Sequence, residues 1–425
     1  MKPTDRASSS PSSTETVPGA SSASCVVCGN SGVEEFLDLG RTALANKFRR
    51  ADELHEAEPT YPLRVGACPV CRHVQLLDRV PPEAMFSDYL YVSSASDTLR
   101  EHLHELSHAL VQRHGLDSAD LVVDIGCNDG TLLDGFAQHG VRTLGVDPAE
   151  NLADLHPRIE RFVGFFGAST ASMLVHRWGR ASLATATNTF PHIPDLDDFV
   201  NGLDALLEPD GVFVLEAHYL VDLLEQRAFD TIYHEHVSHW ALEPMQLLFD
   251  RHGMEVVDAE RLPIHHGQLR ATVARRGTHD ISPRVAQTLR AEVEFGATSP
   301  ERLAAFAEGV RAVKRDLRSL LGELHARGNR VVAYGAPAKG NTLLSFLGLT
   351  AEDITYIADR SSLKQGLYTP NVPIPVVPPE RLLQDRPDYV LLLAWNFADE
   401  ILEQQREYRR RGGKFIIPVP DVRVV

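Results

Sequence analysis

The chain has no apolar run approaching the roughly 20 residues that a bilayer-spanning helix needs. Its opening, MKPTDRASSSPSSTETVPGASSAS, lacks the apolar stretch of a secretory leader. Positive charge is also scarce: 42 lysines and arginines face 58 aspartates and glutamates, a net charge of −16. Nucleic-acid surfaces need clustered cations, so that class of partner is excluded along with the membrane. No internal repeat of solenoid length is present, which removes the stacked-repeat folds. What remains is an ordinary globular composition, with 43% hydrophobic and 24% charged residues over 425 positions. That length has room for two or three domains. A cytoplasmic location is the expectation, with residues 1–24 as a disordered Ser/Pro/Thr tail.

Cysteine is rare, five in the whole chain, yet four of the five fall in pairs. Cys25 and Cys28 form CVVC, and Cys68 and Cys71 form CPVC. Cytoplasmic thiols stay reduced, so two such pairs suggest a metal rather than disulfides. Two thiolates three positions apart on a turn can share one Zn²⁺, and two turns complete a tetrahedral site. The intervening residues, 29–67, predict that each turn belongs to a different hairpin. No open coordination position is evident, so the zinc is structural. Four unrelated buried thiols are the alternative. Cys127 stands apart, without an assignable partner base, and reads as a packed residue.

Three familiar motifs are absent. After the apolar strand LVVDI the turn runs DIGCNDG, with Gly126 and Gly130 spaced G-x-x-x-G, so the G-x-G-x-x-G of a dinucleotide site is missing. The turn, with Asp124, Asn128 and Asp129, suits a ligand that brings no pyrophosphate close, and S-adenosylmethionine (SAM) is such a ligand. Asp147, 23 positions on and closing the next strand, is placed to accept hydrogen bonds from ribose hydroxyls. A second turn, GAPAKGNT, lacks the lysine directly after its second glycine that a P-loop needs. Lys339 precedes Gly340 and Asn341 follows it. A strand-turn-helix with Gly335, free amides, Lys339 and Asn341 can still receive a diphosphate. Asp359 then suits sugar hydroxyls, as does Asn396 at the end of PDYVLLLAWN. A merely structural glycine turn is the alternative.

In YHEHVSHW the zincin spacing H-E-x-x-H fails, because Ser238 stands where the second histidine would be. Read as a helix, the segment puts Tyr233 and His236 on one face. Histidines satisfied at a helix end are the plain alternative. The functional reading is proton transfer: His236 as general base, Glu235 tuning an imidazole, and Tyr233 donating to a developing oxyanion. SAM methylates carbon only where that carbon is made nucleophilic, and an enolate beside a ketone is the simple route.

Strands alternate with helical segments, which predicts an α/β chain. The expected order is a zinc-binding module (25–82), a Rossmann-like SAM domain (83–282), a helical connector (283–328) and a C-terminal Rossmann-like domain (329–425). Three strands are expected in the last of these, ending near Tyr334, at Asp359 and at Asn396.

Taken in order, CxxC…CxxC, YLYVSSAS, DIGCNDG, NTFPHI, YHEHVSHW, YGAPAKGNTLL, DRSSLKQGLYTP and LLAWN resemble the zinc-containing sugar C-methyltransferases of antibiotic deoxysugar biosynthesis. The likeness runs from Cys25 to the end. It implies SAM as cofactor, a dTDP-linked 4-keto-deoxysugar as partner, methylation at C3 through an enolate, and a monomer. It also implies His236 as base, Tyr233 and Glu235 as neighbouring catalytic residues, and His192 as a second active-site histidine. Tyr89, Tyr91, Ser94 and Asn188 are implied at the cofactor, and Lys364 at the sugar nucleotide. One departure stands out: HHGQ at 265–268 puts His266 and Gln268 where the family has smaller residues. A SAM-dependent O-methyltransferase, needing the same cofactor site but no enolisation, is the competing reading.

Overall fold

The computed structural model describes residues 24–87, 89, 92–152, 159–264 and 267–425. The expected tail up to Ala23, together with Tyr91 and His266, lies outside the described residues. Within them the strands form three sheets.

The central sheet has seven strands. Glu160–Val163, Arg142–Asp147, Leu121–Ile125, Ala181–Thr187 and Leu207–His218 run parallel in that order, and Gln268–Arg275 and Met254–Leu262 close it antiparallel. Leu121–Ile125 lies mid-sheet and is buried throughout, as its apolar run, interrupted only by Asp124, requires. The helix Asp97–His114 lies against it. Ser96 caps this helix by accepting from the Leu99 amide, and Gly115 ends it at φ +63°.

The C-terminal sheet has six strands where the sequence predicted three. Val376–Val377, Ile357–Ala358, Val331–Tyr334, Tyr389–Leu392 and Lys414–Ile417 are parallel, and Arg423–Val424 is antiparallel. The added strands are two to four residues long, too short for an alternating pattern to show. The strand expected to reach Asn396 stops at Leu392, and Asn396 sits in a 3₁₀ turn, Trp395–Phe397. The segment between the two large domains is two helices, Pro283–Phe295 and Pro300–Ala326, each capped by a serine followed by proline. The longer one carries Leu303, Phe306, Val310, Val313, Leu317, Leu321 and Leu324 on one face, all buried.

The third sheet explains how the parts cohere. Glu34–Thr42, Tyr61–Ala67 and Val74–Leu76 form an antiparallel meander, and its fourth strand, Ser238–His239, comes from the YHEHVSHW segment. The meander's apolar face, including Leu37, Leu63, Val65 and Leu76, shares one core with the C-terminal domain and the long helix. The cysteine turns pack instead into the core of the SAM domain. The small module is therefore a wedge between the two larger ones.

A helix over 233–239, one way to read the segment, is not formed. After a 3₁₀ turn, Phe229–Thr231, the chain makes a tight turn in which the His236 amide donates to the Tyr233 carbonyl at 2.8 Å, and then enters the strand. Pairing of His239 with Val74 and of Ser238 with Gln75 outweighs a weak local helical preference, since His and Val are poor helix formers.

Candidate active site

The four paired cysteines converge. Cys25 Sγ lies 3.4 Å from Cys71 Sγ, and Cys28 Sγ lies 3.5 Å from Cys68 Sγ, with all four sulfurs within 4.8 Å of one another. Tetrahedral Zn²⁺ at about 2.3 Å from each sulfur needs sulfurs about 3.8 Å apart, so the set fits. Cys68 and Cys71 occupy the hairpin between Tyr61–Ala67 and Val74–Leu76. Cys25 and Cys28 sit in a turn closed by the Cys25 amide on the Asn30 carbonyl at 2.8 Å. Among the described residues that first turn has no flanking strand on its N-terminal side, so only one hairpin is found where two were expected.

A cavity of about 350 Å³ opens at the carboxyl edge of the central sheet and is closed on its far side by the C-terminal domain. A second, of about 230 Å³, adjoins it around Asp147, with Phe86, Phe165 and Ile193 as apolar walls. Gly126, Asn128, Tyr89 and His192 line both.

The DIGCNDG turn is held from below. Gly126 has φ +76°, and a Cβ there would lie 2.1 Å from Thr189 Oγ1. Asp147 accepts from the Asn128 amide at 2.8 Å and the Ala149 amide at 2.9 Å, and burial raises its pKa above the usual carboxylate range. Asp124 accepts from Thr185 Oγ1 at 2.7 Å, yet burial still pushes it up to about 7. Two carboxyls, a bare glycine backbone and an adjoining apolar slot fit SAM: an amino-acid end, a ribose and an adenine. Asp129 holds the turn by accepting from Thr131 and from the Ser94 amide, and neither Asp129 nor Ser94 lines the cavities. Asn188 does line the larger one, with its Oδ1 accepting from Gln268 Nε2 at 2.5 Å. Cys127 is buried, and its Sγ would meet a Cβ on Gly145 at 2.5 Å, a packed residue as the sequence suggested.

His236 faces the cavity with its ring 4.1 Å from Tyr233, 4.7 Å from His218 and 5.1 Å from His192, centroid to centroid. Its Nδ1 lies 2.6 Å from the Thr231 carbonyl oxygen. A carbonyl only accepts, so Nδ1 carries the proton and Nε2 the lone pair. Burial, with His192 nearby, lowers its pKa well below the ordinary value, and the ring is neutral. His192 is stacked on Phe86 at 5.2 Å, and burial lowers it to about 3. It is carried by a 3₁₀ turn whose Phe190 stacks on Trp240 at 4.7 Å and on Phe249 at 5.9 Å, a rigid aromatic platform.

Glu235 does not touch an imidazole, contrary to expectation. Its carboxylate accepts from Asn46 Nδ2 at 2.8 and 3.0 Å and from Tyr89 Oη at 3.0 Å. The tight turn points it at the zinc module while His236 points at the cavity. Burial raises its pKa to about 7. His234 also turns outward, Nε2 lying 3.1 Å from the Pro62 carbonyl.

From the C-terminal domain Lys339, Lys364 and Asn396 reach the cavity. Lys339 stands over the Trp395 ring at 4.5 Å, and burial lowers its pKa to about 8. Lys364 donates to the Ala336 carbonyl at 2.8 Å. The other three predicted substrate residues do not line it. Gly335, at φ +84°, lets the chain pass Ala394, whose Cβ would be 2.6 Å from a Cβ there. Asp359 accepts from the Ala336 and Ser361 amides at 2.5 and 2.7 Å. Asn341 donates to the Ala45 carbonyl at 2.7 Å, joining this domain to the zinc module. Both polar side chains are already engaged in holding backbone.

Asn46 and His218 line the cavity and were missed. Asn46 is a lone polar residue far from any motif and gives no signal. His218 ends the apolar strand Leu207–His218, and a polar residue at that edge of a parallel sheet is a recognisable sign.

The fold and these sites define a zinc-containing, SAM-dependent methyltransferase. Family models agree along the chain: "Putative zinc binding domain" over residues 25–86, "Methyltransferase domain" over 97–259 and "C-methyltransferase C-terminal domain" over 263–420. The chain is 37% identical over 404 residues to C-methyltransferase NovU from Streptomyces niveus, covering 94% of this chain and 96% of that one. It therefore belongs to the zinc-containing C-methyltransferases. A ubiquinone biosynthesis O-methyltransferase from Coxiella burnetii is 28% identical over 93 residues, 21% of this chain and 40% of that protein. A solved SAM-dependent methyltransferase from Anabaena variabilis covers 47% of this chain and 100% of its own at 16% identity and TM-score 0.32.

Proposed function

We propose that the enzyme methylates C3 of a dTDP-linked 4-keto-deoxysugar, with His236 as the base that forms the enolate. The observation that carries this is the tautomer of His236. A neutral imidazole, its Nδ1 proton held by the Thr231 carbonyl, presents the Nε2 lone pair to a cavity shared by the SAM turn and two half-buried lysines. Nε2 takes the proton from the carbon beside the ketone, and the electron pair moves onto the carbonyl oxygen. Tyr233, ring to ring with His236, is the donor to that oxygen. SAM, when bound by the turn with Asp124, Asn128 and Asp147, supplies an electrophilic methyl group. Lys339 and Lys364 supply the positive charge that a diphosphate needs. The Tyr89–Glu235 hydrogen bond ties the segment ahead of the helix Asp97–His114 to the catalytic turn.

His192 is the alternative base, because its Nε2 is buried without a hydrogen-bond partner among the described residues. No described helix is long and apolar enough to cross a membrane, and the proposed setting is a cytoplasmic monomer.

The test is incubation with a dTDP-4-keto-deoxysugar in D₂O, without and then with SAM, followed by NMR and mass. Deuterium at C3 without SAM and a C-methyl with it are expected. A methyl on oxygen, with no exchange, would establish the O-methyltransferase reading instead.

A further inference from the structure

The 3₁₀ turn Phe229–Thr231 does more than precede the catalytic segment. Its last residue supplies the carbonyl that fixes the His236 tautomer. Its middle residue, Asp230, is fully buried, and its Oδ2 accepts from Trp395 Nε1 at 2.7 Å. Trp395 lies in the C-terminal domain and in turn underlies Lys339 at 4.5 Å. Lys339 acts on Asp230 by charge at longer range, without an ion pair to it, and Asp230 Oδ1 is buried without a hydrogen-bond partner among the described residues. Both Lys339 and Asn396, the residue after Trp395, line the cavity. A buried carboxylate that accepts from an indole N–H is expensive unless that bond stays in place.

We infer that Asp230 is a positioning residue for the base, through which the C-terminal domain sets the His236 imidazole. Held by Trp395, the carboxylate fixes the Phe229–Thr231 turn. That turn fixes the Thr231 carbonyl, and the carbonyl holds His236 Nδ1. Docking of the C-terminal domain is thereby linked to the geometry of proton removal, without Asp230 touching substrate.

This rests on His236 as the base, so the experiment reads the two separately. The His236 Nδ1 proton is followed by NMR in the full-length, zinc-loaded protein, and C–H exchange is followed with a dTDP-4-keto-deoxysugar in D₂O. In Asp230→Ala the Nδ1 resonance should shift or be lost, and exchange should slow about 100-fold, the cost of misplacing a catalytic group by about 1 Å. Asp230→Asn keeps an acceptor for Trp395 and should recover much of both. An unchanged Nδ1 resonance, or exchange within about twofold of wild type, overturns the inference. If Asp230→Ala does not fold, as judged by zinc content and SAM binding, Trp395→Phe carries the test. It should move the same resonance and slow exchange, and no change in either overturns the inference. Wild-type exchange in His236→Asn overturns the base assignment instead, and the resonance still reports whether Asp230 positions the ring.

Discussion

The Leu76 amide donates to the Val237 carbonyl at 2.9 Å, so the strand that leaves the cysteine hairpin is bonded to the residue next to His236. The metal site and the turn proposed to be catalytic are parts of one sheet. Removing the metal should therefore disturb catalysis from a distance. Cys68→Ser is expected to lower zinc below about one per chain, cost more than about 4 kcal/mol of stability, and abolish C–H exchange. Metal analysis, denaturant unfolding and the exchange assay check the three together.

Gly126→Ala tests the cofactor turn. The position has φ +76° and no room for a Cβ beside Thr189, so strain of about 1–3 kcal/mol is expected. SAM affinity, measured by calorimetry, should fall more than tenfold while zinc content stays unchanged.

Glu235→Gln should have opposite effects on stability and activity. Burial raises the carboxyl from 4.5 to about 7. Its contribution to stability is full below the unfolded value and is lost as pH rises through about 7. Denaturant unfolding should show the variant gaining about 1–3 kcal/mol at pH 8 and little at pH 4. Exchange should slow, because Gln presents an N–H₂ to Asn46 or Tyr89 where the carboxylate accepted from both.

His192 carries the reverse sign. Its pKa falls from 6.5 to about 3, so an unfolded chain takes up its proton first. Stability is full above about 6.5 and is lost as pH falls towards 3. His192→Asn should flatten the loss of melting temperature in that window and slow exchange about tenfold without abolishing it. Abolition would make His192 the base.

Lys339 has a lowered pKa of about 8, so its charge is present below that pH and lost above it. KM for the sugar nucleotide should rise above pH 8, with SAM affinity unaffected. Lys339→Met should raise KM at pH 7 by roughly tenfold or more, the loss of one charge-assisted contact to a diphosphate.

The sequence by itself determined the chemistry and much of the order of elements. Paired cysteines, an acidic glycine turn after an apolar strand, and a Tyr-His-Glu-His run are local patterns, and local patterns survive without knowing the fold. Tertiary structure decided where each side chain points. Glu235 and His236 are adjacent in the chain yet face the zinc module and the cavity, because Ser238–His239 pairs with Val74–Gln75 and forces a tight turn before it. Gly335, Asn341 and Asp359 carry the pattern of a ligand turn but hold backbone together, and hydrogen-bond partners nearly 300 positions away, such as Ala45 for Asn341, leave no trace in local sequence. The same holds for Asp230 and Trp395, 165 positions apart and joined by one hydrogen bond. Spacing records what a segment can do, and long-range packing selects which of those groups meets the substrate.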